Sequence, residues 1–102
     1  MTTYNKLVRD LIPDIIVAKG QACKIHTATP EEYEQKLLEK ILEEAQELKD
    51  DHGSIEELAD LMEVLDAIVE LKEYNWNQIR QTQKEKAEKR GDFKKRIILE
   101  ES

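Results

Sequence analysis

The chain is poor in aromatics, glycine, proline and cysteine, and each shortage narrows what it can be. One Trp, three Tyr and one Phe among 102 residues leave the core to aliphatic side chains, chiefly Leu and Ile. Three glycines and two prolines are too few for the many tight turns of an all-β fold. The single cysteine, Cys23, excludes an internal disulfide framework and a cysteine-based zinc site, and it suits a reducing compartment. No run approaches the roughly 20 apolar residues of a membrane span. The opening "MTTYNKLVRD" lacks the apolar stretch of a signal peptide. The expectation is a soluble, cytoplasmic protein with no membrane partner. Basic charge is also in deficit, 16 Lys and Arg against 23 Asp and Glu, for a net −7. That balance argues against nucleic acid as a partner, which would need a basic footprint. A small anion remains compatible where cations or a local basic cluster screen the repulsion.

What is present points to helices. Charged residues make up 38% and hydrophobic residues 39%, a balance that suits helices with heavily solvated outer faces. The length fits one domain, residues 1–102, and a chain this short buries about 60–70% of the surface that unfolding would expose. "YNKLVRDLIPDIIVAKG" holds a short apolar helix after Pro13, closing at Gly20. In "TPEE", Thr29 is an N-cap, Pro30 the first helical residue and Glu32 the reciprocal partner of a capping box. Leu37, Leu38, Ile41, Leu42, Ala45 and Leu48 then fall within an arc of roughly 140° on a helix. "DDHGS" breaks the pattern, and Ser54 with Glu57 forms a second capping box. The helix from Ile55 to Leu71 is apolar over more than half its circumference. A third long helix, "WNQIRQTQKEKAEKR", is mostly polar and stops at Gly91. The fold class predicted is all-α: an antiparallel hairpin core assembling into a helical bundle, with a short two-stranded β element from residues 23–28 and 95–100.

Four acids in "EELADLMEVLDA", Glu57, Asp60, Glu63 and Asp66, recur every three residues, where like charges on a helix repel. With this many acids such spacing arises readily by chance, and a solvated acidic face is the plain explanation. The hairpin supplies a second one. If the chain turns at His52, Glu44 stands level with Asp60 and Glu47 with Glu57. Glu44 lies roughly 20° outside the apolar arc, and Glu57 and Asp60 lie within or beside the apolar sector of their helix. Acids on packing faces cost several kcal/mol when ionised and unpaired. Lys40 can neutralise one of them, not four. A hard divalent cation such as Mg²⁺, or Mn²⁺, resolves the conflict through oxygen ligands. Zinc would recruit soft ligands, and Cys23, His26 and His52 show no such spacing. Glu57 has a competing role as the capping-box partner of Ser54. Glu63, one turn farther from the break, is a candidate for a second cation or an outer contact, and Asp66 reads as surface. Trp76 reads as a hydrophobic anchor, with stacking on a base as the alternative.

"EAQE" (Glu44, Glu47) and "ELAD" (Glu57, Asp60), nine residues apart, resemble the paired ExxE and ExxD motifs of the all-α nucleoside triphosphate pyrophosphohydrolases. That superfamily includes MazG-like enzymes, dimeric dUTPases and phosphoribosyl-ATP pyrophosphohydrolase. The short gap implies a tight hairpin. The ends, "YNKLVRDLIPDII" and "KRGDFKKRIIL", look like those of a branch of small MazG-like proteins that open with "YNKLVRDKIPEII" and close with "KRGGFxxRIxL". Asp92 stands where that branch often has a second glycine. The resemblance covers nearly the whole chain. It implies Mg²⁺-dependent cleavage of the α–β phosphoanhydride of a nucleoside triphosphate to a monophosphate and pyrophosphate, with clearance of non-standard or damaged nucleotides as one expected role. By that resemblance Glu44, Glu47, Glu57 and Asp60 are metal ligands, and Glu43 or Glu47 accepts the proton of the attacking water. Lys6, Arg9, Lys86 and Arg90, with Lys89 beside them, are candidates for the phosphate tail; ordinary ion pairing is the alternative for each. Family members are dimers or tetramers, so a homodimer or homotetramer is implied. Two other functions compete: phosphoribosyl-ATP pyrophosphohydrolase of histidine biosynthesis, and a non-catalytic helical interaction module.

Overall fold

The computed structural model describes residues 2–102. Four helices follow one another: α1 (Ile12–Ala18), α2 (Pro30–Asp50), α3 (Ile55–Leu71) and α4 (Trp76–Arg90). The starts of the long helices obey their caps. The Thr29 hydroxyl accepts from the Glu32 backbone N–H at 3.2 Å, Pro30 occupies the first turn, and the Ser54 hydroxyl accepts from the Glu57 N–H at 3.3 Å. Asn75 caps α4 by accepting from the Asn77 N–H at 2.7 Å. Each accepted bond satisfies a donor that the helix itself leaves orphaned. The predicted reciprocal half of the first capping box does not form. The Glu32 carboxylate instead meets His26 Nε2 at 2.9 and 3.1 Å.

Three helices end in the same backbone device, the Schellman motif. After α1, the Gly20 N–H donates to Val17 O and the Gln21 N–H to Ile16 O, with Gly20 at φ +78°. After α2, the His52 N–H donates to Lys49 O and the Gly53 N–H to Leu48 O. After α3, the Glu73 N–H donates to Glu70 O and the Tyr74 N–H to Val69 O. The left-handed residue of the motif is therefore a glycine only once. His52 and Glu73 hold φ +53° and +57°, a conformation that costs an L-residue about 1–2 kcal/mol.

The short turn brings α3 back along α2, and these two helices make the main tertiary contact of the chain. Leu37, Val64 and Val69 are buried, with Ile41, Ala45, Leu48, Leu61, Leu65, Ile68 and Leu71 half-buried around them. A Lys72–Glu34 ion pair closes the end of the hairpin opposite the turn. No comparable packing holds α4, which is exposed along its length apart from Trp76 and Ile79. The radius of gyration is 18.0 Å, against about 13 Å for a compact chain of this size. Among the described residues sixteen large apolar side chains are exposed, including Leu42 at 73% and Ile55 at 84%.

The all-α class and the packed hairpin agree with the sequence. The two-stranded β element does not: residues 23–28 and 95–100 form no strand. Ile25 is 64% exposed and Ile97, Ile98 and Leu99 are 77–83% exposed, so neither segment has an apolar surface to lie on. A bare two-stranded ribbon is marginal in water.

Candidate functional site

The turn places the acids of α2 and α3 face to face. One oxygen from each of Glu44, Glu57 and Asp60 lies within 4.8 Å of the others. Glu44 is the only buried charged residue among those described, at 7% exposure. It sits at the edge of the apolar stripe of α2, so packing that covers the half-buried Ile41 and Ala45 carries the carboxylate in with them. Two oxygens of the group, Glu44 Oε2 and Glu57 Oε2, are buried and have no hydrogen-bond partner. The Glu57 side chain therefore does not close a capping box; only its backbone N–H serves Ser54.

This crowding disfavours ionisation. Burial pushes the Glu44 carboxyl above its ordinary range; the adjacent Glu47 carboxyl and Asp60 push it further, while Lys40 opposes them. Glu57 is raised as well, first by loss of solvation and then by the charges of Asp60, Glu44 and Asp51, with a hydrogen bond from Glu47 acting the other way. Glu47 thus adjoins both Glu44 and Glu57 at the edge of the group. Lys40 Nζ stands 3.6 Å from Glu44 Oε1 and 3.7 Å from Glu43 Oε2. One ammonium cannot compensate three converging carboxylates.

The N-terminal segment arrives at the same place. Arg9 Nη2 donates to Asp60 Oδ1 at 2.8 Å, and Lys6 Nζ to Glu43 Oε1 at 3.2 Å. Lys6 and Arg9 were candidates from the sequence, but their particular partners had no signal in it, because contacts 37 and 51 residues apart leave no periodic trace. No protein-family model, curated protein or solved structure matches the chain. The site must therefore be weighed on its own geometry.

Of the predicted residues, Glu44, Glu57 and Asp60 come together, Glu47 adjoins them, and Glu43 lies beside them, held by Lys6 and Lys40. Glu63 and Asp66 are exposed and outside the group. Lys86 and Arg90 lie on exposed turns of α4, and among the described residues no ion pair ties either to the acids. Open concavities occur along Ile97–Glu101 and on the side of α4 lined by Tyr74, Ile79 and Lys86; neither includes a member of the acidic group. Three converging carboxylates, two of them with an unpartnered inner oxygen, and no soft ligand fit a hard divalent cation better than zinc.

Proposed function

We propose that the chain is a Mg²⁺-dependent nucleoside triphosphate pyrophosphohydrolase, with Mn²⁺ as an alternative metal. The observation that carries this is the convergence of Glu44, Glu57 and Asp60 with two buried, unpartnered carboxylate oxygens among them. The ExxE and ExxD motifs and the family-like ends supply the link from a cation site to nucleotide chemistry. A divalent cation in such a site supplies screening of the polyphosphate charge and acidification of a water.

The chain's own residues take the remaining roles. Glu44, Glu57 and Asp60 hold the cation, with Glu47 at the margin. Glu47, adjoining two of the ligands, or Glu43, turned toward Lys6 and Lys40, accepts the proton of the attacking water. The water oxygen bonds to the α-phosphorus, the bridging oxygen leaves with the β-phosphorus, and the products are a monophosphate and pyrophosphate. Lys6 and Arg9, already at the site, meet phosphate oxygens. Lys86 and Arg90 do so once α4 is docked in an assembly.

We further propose that the working unit is a homodimer or homotetramer. The extended protomer, its three buried apolar side chains and its exposed face of Leu38, Leu42, Ile55, Leu58 and Met62 call for a partner of matching surface. A second copy is the economical one. The same exposed face favours the competing role of a non-catalytic interaction module.

A pyrophosphate-release screen over standard and modified nucleoside triphosphates, with Mg²⁺ and with Mn²⁺, separates the two. The enzyme is expected to release pyrophosphate with at least one of them, and Glu44→Gln and Asp60→Asn to lose both release and Mg²⁺ binding by calorimetry. No turnover of any nucleotide, together with no metal binding by the unaltered chain, overturns the proposal.

A further inference from the structure

We propose that the N-terminal segment is an ion-pair strap, in which Arg9 serves Asp60 as an internal counter-cation and passes to a phosphate-bearing ligand once a divalent cation is held by Glu44, Glu57 and Asp60. The inference rests on the cation site proposed above.

Residues 2–9 have no regular secondary structure. Their side-chain bonds to the body of the protein are the two ion pairs, Lys6 to Glu43 on α2 and Arg9 to Asp60 on α3. The segment therefore straddles the hairpin beside the acidic group. Asp60 is shared: its carboxylate belongs to the converging trio, and its Oδ1 is taken by Arg9 at 2.8 Å. Arg9 compensates only the outer member of the trio. The Asp60 side chain is 41% exposed, whereas that of Glu44 is 9% exposed, and the inner oxygens of Glu44 and Glu57 stay unpartnered. A planar guanidinium bonding from the rim leaves that inner demand unmet. A compact cation between the three carboxylates meets it.

Both cations then draw on the Asp60 carboxylate, and their charges repel. The Arg9 side chain is 55% exposed, and ion pairs of that exposure are weak. Arg9 can therefore leave at small cost. Its fork matches phosphate oxygens well, so an anionic ligand that reaches the loaded site finds Arg9 close by. The segment runs directly into α1 at Ile12, so Arg9 stays within reach of the site when its bond to Asp60 is given up. Arg9 is a binding residue that links cation occupancy to anion capture.

Calorimetry of the full chain with Mg²⁺ alone tests the first half. Arg9→Gln is expected to bind Mg²⁺ about two- to five-fold more tightly than the unaltered chain, the range that an exposed ion pair implies. In excess Mg²⁺ the same variant is expected to bind inorganic tripolyphosphate about ten-fold more weakly, with partial recovery in Arg9→Lys. A second measurement needs no variant. The NMR signal of the Arg9 side-chain Nε–H is expected to move on adding Mg²⁺, as the bond to Asp60 is given up, and to move again on adding tripolyphosphate. If Arg9→Gln binds Mg²⁺ no more tightly, or Mg²⁺ leaves the Arg9 signal unmoved, the strap is wrong while the cation site stands. If neither protein binds Mg²⁺, the cation site falls and the strap with it.

Discussion

The α2–α3 hairpin and the α4 arm are built from the same local grammar and end differently. Both have capped starts and abrupt stops. Yet α2 carries eight acids and three bases and α3 six acids and no base, a joint net of −11, whereas α4 carries five bases and two acids, a net of +3. The hairpin has apolar stripes and packs on itself. The arm has almost none, and only Trp76 and Ile79 near its start are even half-buried. Capping and propensity suffice to specify where a helix starts and stops, but only a stripe of apolar residues specifies what it lies against. A −11 hairpin gathers its own repulsion, and the chemistry proposed here sits where that repulsion is greatest.

The sharpest break of this comparison is a core truncation on each side. Leu37→Ala, at the best-buried position of the hairpin, is expected to cost about 2–4 kcal/mol, measured by urea unfolding. Ile79→Ala on α4 should cost under about 0.5 kcal/mol in a dilute monomeric sample. An equal loss at both sites would show that the arm is packed in solution, and sedimentation would then show an assembly.

Next in size is the acidic centre itself. Without divalent cations at neutral pH, Glu44→Gln should raise the melting temperature, since it removes a buried charge among like charges. Lys40→Met should lower it, because the one cation near Glu44 is lost. A fall in stability for Glu44→Gln would mean that the carboxylate is satisfied in a way the geometry does not show.

The helix ends offer an effect of about 1 kcal/mol. His52→Gly and Glu73→Gly relieve residues held at positive φ, and each should raise stability by about that amount in thermal unfolding. No gain at either position would mean that the side chain makes a compensating contact.

The smallest expected effect is a pH dependence. Glu44 and Glu57 have carboxyls raised above 4.5 in the folded chain, so the native state binds more protons than the unfolded state between 4.5 and the raised values. Stability contributed by these groups therefore falls as pH rises through that window and recovers on acidification. Urea midpoints of the metal-free protein should be higher at the acid end of the window than at neutrality, and saturating Mg²⁺ should remove the difference. A midpoint that rises with pH across the window would contradict the crowding of these carboxylates.

Much of this was legible in the sequence because it is local or periodic. Thr29 with Pro30 and Ser54 mark the helix starts, and Gly20 and Gly91 mark two of the stops, since each acts within a few residues of itself. The level pairing of Glu44 with Asp60 follows from a short turn and the helical rise. The β element fails because weak alternation around "KIHTA" and the apolar run Ile97–Leu99 speak of a strand only where a sheet exists to receive it. The left-handed His52 and Glu73 were missed because nothing in their side chains asks for that conformation; the backbone bonds of the motif impose it.

By itself, then, the sequence determined the helices, their order, the hairpin and the acids that the turn opposes, because hydrogen bonding and apolar spacing act over a turn or two of chain. Tertiary structure decided which of those acids lose their water, which oxygens go unpartnered, and that Arg9 rather than a more distant base stands against Asp60. Burial and contacts across 51 residues depend on where whole helices lie, and no short stretch of the chain encodes that.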